Sequence, residues 1–202
     1  MKVSRVLVVL LPLFAGACAQ PGSPSAPSPV GASAALEAQA AKVDVCHVSG
    51  DGSVHAISVA GSAVPAHLRH GDATRVFSLP AGATFSANNA LEDYVPALAF
   101  DLDPLTNWNA GYWPVAWLEV DFGSPQRFSV MTGLPDQLPA VSFTNHDITF
   151  DGAPAFSWTG ITTNNQLITQ TFGTMQTAQR VRITTTVSDS WVAWWEVGFR
   201  GC

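Results

Sequence analysis

The chain is poor in charge, and poorest in positive charge. Only 12% of its 202 residues are Asp, Glu, Lys or Arg, and nine basic side chains stand against fifteen acidic ones. No Lys/Arg run or basic stripe is present, which argues against nucleic acid as a partner and against anionic lipid held through the protein surface. Catalytic signatures are missing too: there is no Gly-x-Ser-x-Gly elbow, no His-Glu-x-x-His pair and no Gly-rich phosphate loop. His146 and Asp147 are adjacent, and neighbouring strand residues point to opposite faces. The chain reads as non-catalytic. No helical stretch of any length follows residue 75, and cysteine is confined to Cys18, Cys46 and Cys202.

What is present begins with an export signal. "MKVSR" carries two positive charges, "VLVVLLPLFAGA" is an apolar run too short to span a bilayer with ease, and it ends in small residues. Cys18 follows "FAGA" directly, as in a bacterial lipobox, so residues 1–17 are expected to be removed and Cys18 lipidated. The alternative is ordinary cleavage near Ala17 or Ala19. Two or more acyl chains on Cys18 would meet the requirement for stable anchoring. Ala19 is not the aspartate that retains lipoproteins at the inner membrane, so the expected location is the outer membrane or cell surface. Residues 18–43, with "AQPGSPSAPSPVGASAALEAQAAKV", hold no aromatics and two charges. Such a segment buries too little apolar surface to offset its ordering entropy and reads as a disordered stalk.

Residues 75–202 show short alternating runs between Gly, Pro, Asn and Asp. "AWLEVDFG" sets Leu118, Val120 and Phe122 against Trp117, Glu119 and Asp121, and "RVRITTTV" sets Val181, Ile183, Thr185 and Val187 against Arg180, Arg182, Thr184 and Thr186. Period two with turn signals at roughly 8- to 15-residue intervals predicts an all-β domain, an antiparallel sandwich or jelly roll.

Two of these segments are familiar. "ALAFDLDPLTNWNAGYWPVAWLEVDFG" (97–123) resembles the Ala-x-Asp-Gly-Asp-x-x-Thr-x-Trp…Trp-Leu-x-Val-Asp-Phe-Gly signature of discoidin domains, also called coagulation-factor type C or galactose-binding-like domains. "RVRITTTVSDSWVAWWEVGFRG" is similar to their closing strands, with a Glu in the last one. The resemblance spans about residues 76–202 and implies a galactose-binding-like jelly-roll β-sandwich whose loop end binds carbohydrate, lipid head groups or protein. Leu102 departs from the pattern, standing where the family commonly has glycine.

The resemblance further implies a structural calcium held by Asp101, Asp103, Thr106 and Glu196. The chemistry is apt, because calcium takes about six to eight hard oxygens. In the competing reading, Asp101 and Asp103 only satisfy backbone N–H groups of their own loop. Discoidin-type sandwiches bring their chain ends together and often close them with a disulfide, which implies Cys46–Cys202.

Trp108 matches the family's buried tryptophan and is expected in the core, and parity puts Trp195, Val197 and Phe199 on one face of the last strand. Tyr112 and Trp113 lie in the turn-rich "NAGYWP". As exposed rings flanked by Asn109 and His146 they would make a glycan site; otherwise they plug the end of the sandwich.

Residues 44–74 form a separate Cys/His module, "VCHVSG…HAISV…AVPAHLRHGD", which resembles a short module recurring in secreted bacterial proteins. "DVCHVSGDGSVHAISVA" predicts a hairpin, and "SAVPAHLRHG" a short helix with Ser62 as N-cap and Gly71 as terminator. His67 and His70 share a helix face at that spacing, and with His47, His55 or Cys46 they can make a zinc site. The alternative is imidazoles that cap strand ends. The expected function is that of a lipid-anchored, exported binding protein for carbohydrate, such as a cell-surface glycan. Two other functions stand beside it: a structural or adhesive surface protein without a small ligand, and a metal-binding protein acting through residues 46–72.

Overall fold

The structure, a computed structural model, describes residues 42–202. The signal segment, Cys18 and the stalk as far as residue 41 lie outside the described residues.

A small module comes first. Strand β1 (Lys42–Val48) pairs along its whole length with β2 (Val54–Ala60), and on its other side with the short β3 (Ala73–Thr74). The Gly52 N–H donates to the Ser49 carbonyl at 2.8 Å and closes the hairpin. Helix α1 (Val64–Arg69) lies between β2 and β3. Pro65 sits in its first turn, where a missing N–H costs nothing. Ser62 does not cap it: a 3-10 turn, Gly61–Ala63, leads straight into the helix, and Ala63 takes the N-cap position without a side-chain bond.

The rest is an all-β, antiparallel, galactose-binding-like jelly-roll sandwich. Its strands are β4 (Thr84–Ala87), β5 (Trp108–Asn109), β6 (Ala116–Asp136), β7 (Val141–Phe150), β8 (Ala153–Thr163), β9 (Ile168–Val187) and β10 (Ala193–Arg200). The long strands β6 and β9 pair from Ala116↔Thr185 to Gly133↔Ile168, with register breaks after Asp121 and Phe128. Such breaks bend a ladder, so the two halves of this pair serve two layers. The first half of β6 takes β4, and the matching half of β9 takes β7, followed by β8; the second half of β6 takes β10, then β5.

Alternation decides what fills the space between. Leu118, Val120 and Phe122 are buried from β6, as are Val181 and Ile183 from β9, while their neighbours face out. On that outer face Arg182 donates to the Glu119 carboxylate at 2.8 Å and lies 4.0 Å above the Trp117 ring. Phe77, Phe122, Phe128 and Phe199 meet edge to face or tilted at the base of the core, an arrangement that adds roughly 0.5–1.5 kcal/mol per pair beyond burial. Trp108 is fully buried and donates from Nε1 to the Asn89 carbonyl.

The last strand departs from simple parity. A register break between Trp194 and Glu196 puts Trp194, not Trp195, in the core with Val197 and Phe199. The expected Trp195 side is half-exposed instead.

The module docks where the chain ends. Val76 bridges to Arg200, the Gly201 N–H donates to the Arg75 carbonyl, and Cys46 and Cys202 are joined with an S–S distance of 2.13 Å. A Cβ on Gly201 would collide with the Thr74 carbonyl and lie 2.8 Å from the Cys46 sulfur, so this contact admits only glycine.

Candidate functional site

At one end of the sandwich the segment after β5 runs beside the start of β10. The Ala110 N–H donates to the Val192 carbonyl at 2.8 Å, and the Val192 N–H to the Tyr112 carbonyl at 3.1 Å. This ladder sets Trp113 and Trp191 along one cleft of about 360 Å³, completed by Asn109, Asp136, Gln137, Leu138, Ser190 and Ala193. Both indoles are open to solvent, Trp113 by 55% and Trp191 by 44%. A core has no use for rings so exposed.

The cleft floor is polar and stiff. Ser190 Oγ accepts from the Leu138 N–H, and Gln137 is spent on Thr162 and the Ala140 carbonyl. Asn109 Oδ1 accepts from Gly111 N–H at 2.8 Å, which fixes the turn that presents Trp113. The Asp136 carboxyl accepts from Asn107 through Oδ2, and burial raises its pKa above the usual carboxylate value. Among the described residues, Asp136 Oδ1 and Asn109 Nδ2 have no protein partner. No Lys or Arg lines the cleft.

Two of the four residues expected there are elsewhere. His146 is only 4% exposed, because inward parity on β7 runs Ser142, Thr144, His146, Ile148. Its Nδ1 pairs with Thr185 Oγ1 at 2.8 Å, its ring packs on Trp194, and desolvation depresses its pKa to about 4. It underlies the cleft and cannot reach a ligand. Tyr112 turns its hydroxyl to the Asn88 amide and packs on the core instead. Trp191 and Asp136 escaped the sequence reading. The turn-rich "SDSW" around Trp191 carried the same signal as "NAGYWP", whereas nothing local marks Asp136.

The acidic loop lies apart from this cleft. Leu102 has φ +66°, the left-handed conformation that glycine takes without cost, and its side chain is 82% exposed. The turn therefore holds Leu102 in a conformation that glycine takes freely, at a strain of order 1–3 kcal/mol. Asp101 accepts from Thr106 Oγ1 at 2.9 Å and from the Asp103 N–H at 2.9 Å, and Asp103 accepts from the Leu105 N–H. Glu196 on β10 differs: both its carboxylate oxygens are buried beside the Asp101 carboxyl and the Leu102 N–H, and neither makes a well-formed hydrogen bond. Desolvation first, then the negative charge of Asp101, push its pKa up to about 7. A mostly apolar groove of about 680 Å³ runs beside it, lined by Phe77, Leu79, Leu134 and Leu167.

In the module, His47 and His67 converge on Asp72. His55 faces His47 across the hairpin, with ring centroids 5.3 Å apart. His70 does not join them, because it closes α1 as an exposed C-cap. Cys46 is committed to Cys202.

No family model and no curated protein matches the chain. Solved structures do. A family 32 carbohydrate-binding module from C. perfringens NanJ, in complex with galactose, is 18% identical, with a TM-score of 0.51 over 58% of this chain and 92% of that one. A module of the same kind from a family 31 glycoside hydrolase of Clostridium perfringens is 15% identical, with a TM-score of 0.53 over 60% of this chain and 96% of that one. At these identities the likeness establishes the fold alone, the galactose-binding-like β-sandwich of these modules.

Proposed function

We propose that the protein is a non-catalytic carbohydrate-binding protein whose ligand site is the Trp113/Trp191 cleft. The observation that carries this reading is the pair of exposed indoles beside unpartnered polar atoms on Asp136 and Asn109. The C–H face of a pyranose packs on the electron-rich face of an indole, while a carboxylate and an amide bond the hydroxyls. Support also comes from the solved modules of this fold, which are carbohydrate-binding, one of them holding galactose.

The charge of the cleft narrows the ligand class. With Asp136 on the floor and no cation in the lining, neutral and amino sugars are accepted and uronic acids repelled. One charge pair at ~4 Å in water-like surroundings is worth ~1 kcal/mol, about a fivefold preference. Sites this open are weak, and a dissociation constant near 1 mM corresponds to ~4 kcal/mol. The test is a glycan array followed by calorimetry on Trp113→Ala and Trp191→Ala. Each variant should lose most of the binding while keeping the melting temperature, because exposed rings contribute little to folding. A wild-type protein that binds no glycan would instead support an adhesive or structural surface role.

The same proposal includes a structural calcium held by Asp101, Asp103, Thr106 and Glu196. The buried carboxylate of Glu196, without a well-formed hydrogen bond and beside Asp101, fits a cation between the loop and the last strand. The ion would tie these two segments together, and it takes no part in holding the sugar. Export and lipidation at Cys18 complete the reading: the stalk would hold the sandwich away from an outer membrane or cell surface, facing glycans.

A further inference from the structure

The Cys/His module has little core. Among its described residues only Val45, Cys46, Asp72 and Ala73 are buried, and units of fewer than about 40 residues need disulfides, metals or docking to stay folded. One of those few buried residues is an acid, which asks what it is for.

The chain places Asp72 deliberately. Gly71, at φ +94°, ends α1 in a Schellman arrangement: the Asp72 N–H donates to the His67 carbonyl and the Gly71 N–H to the Leu68 carbonyl, both at 3.2 Å. That turn folds Asp72 back beneath His67. Its Oδ1 accepts from the Val48 N–H at 2.9 Å, so the carboxylate is locked to β1. Its Oδ2 meets His67 Nδ1 at 2.6 Å and His47 Nδ1 at 2.9 Å. His47 is fixed in turn by the neighbouring Cys46, which is tied to Cys202. The Asp72 side chain is 1% exposed, whereas His47 and His67 remain 37% and 25% exposed.

We propose that His47, His67 and Asp72 form an open binding site for a divalent transition-metal ion of the zinc class. One ligating atom from each residue lies within 4.8 Å of the others. Around a tetrahedral ion with bonds of ~2.0–2.2 Å, ligand atoms stand ~3.3 Å apart. His67 therefore withdraws from Asp72 by about 0.7 Å and His47 by about 0.4 Å, which their partial exposure allows. Binding through Nδ1 requires that the proton of each ring sit on Nε2. Three protein ligands leave the remaining position to water or a small ligand on the solvent side. His55 and His70 are not ligands. The site is independent of the sugar cleft and of the calcium set.

The test is titration of the full chain with zinc alone, in excess calcium so that the acidic loop is saturated, read by competition with a chromophoric chelator. One zinc per chain is expected. His47→Ala and His67→Ala should each raise the dissociation constant at least tenfold, and His55→Ala and His70→Ala should leave it within twofold. Asp72→Asn risks unfolding the module, so the part-exposed histidine variants carry the test, with the Cys46–Cys202 bond mapped in each as a check of folding. Folded wild-type protein that takes up no zinc would overturn the proposal. So would uptake that survives the His47→Ala/His67→Ala double variant, or loss in His70→Ala.

Discussion

Lowering the pH from about 7.5 to 4.5 should cost the sandwich roughly 2–3 kcal/mol through one residue, His146. Its imidazole is buried among Thr185 from β9, Trp194 from β10 and the end of β6, and its pKa is depressed to about 4 from 6.5. Between those values the unfolded chain binds a proton that the folded chain refuses, so the His146 contribution to stability is full above 6.5 and is lost as pH falls toward about 4. At ~1.36 kcal/mol per pH unit the whole gap is worth ~3 kcal/mol, most of it already lost at pH 4.5. Asp147 on β7 opposes this weakly, and Asp136 lines the same small void beneath the Trp113/Trp191 cleft. His146→Gln keeps a polar partner for Thr185 and removes the titration. Urea unfolding followed by tryptophan fluorescence should show the variant about 1–2 kcal/mol weaker near pH 7.5, with that deficit closed or reversed near pH 4.5. Equal acid losses in both proteins would refute a buried, neutral imidazole.

Gly133→Ala would place a Cβ 2.6 Å from Trp194 and 3.2 Å from Trp158, so it should cost about 1–3 kcal/mol and lower the melting temperature by several degrees. An unchanged melting curve would mean those rings are not packed there. Reducing the Cys46–Cys202 bond, which closes a span of 156 residues, should cost about 2–5 kcal/mol and release the module, as seen by non-reducing peptide mapping and calorimetry. Calcium at 100 times its dissociation constant stabilises by ~2.7 kcal/mol. Chelation should therefore lower the melting temperature, and Glu196→Gln should remove that response; a chelator without effect on wild type would count against the site. Cys18→Ala should leave the protein unprocessed or release it from membranes, and unchanged processing and membrane association would rule lipidation out.

The sequence determined what depends on local pattern. Period-two alternation in "AWLEVDFG" and "RVRITTTV" put Leu118, Val120, Phe122, Val181 and Ile183 inside, because a strand turns every second side chain to the same face. Gly71 announced the end of α1 because no other residue takes its φ cheaply. Tertiary structure decided the rest. A register break at Trp194 and Glu196 reversed the parity of β10, and such a break leaves no mark in composition. His146 and Tyr112 have the chemistry of sugar ligands, yet which face of β7 is inward and where Tyr112 turns depend on strands paired from far along the chain. Asp136 and Trp191 became one cleft with Trp113 because β10 runs between the ends of β5 and β6. Likewise His47 and Asp72, 25 residues apart, meet only because β3 returns alongside β1. Spacing along the chain reads a single helix face or strand face, and each of these sites is assembled from more than one.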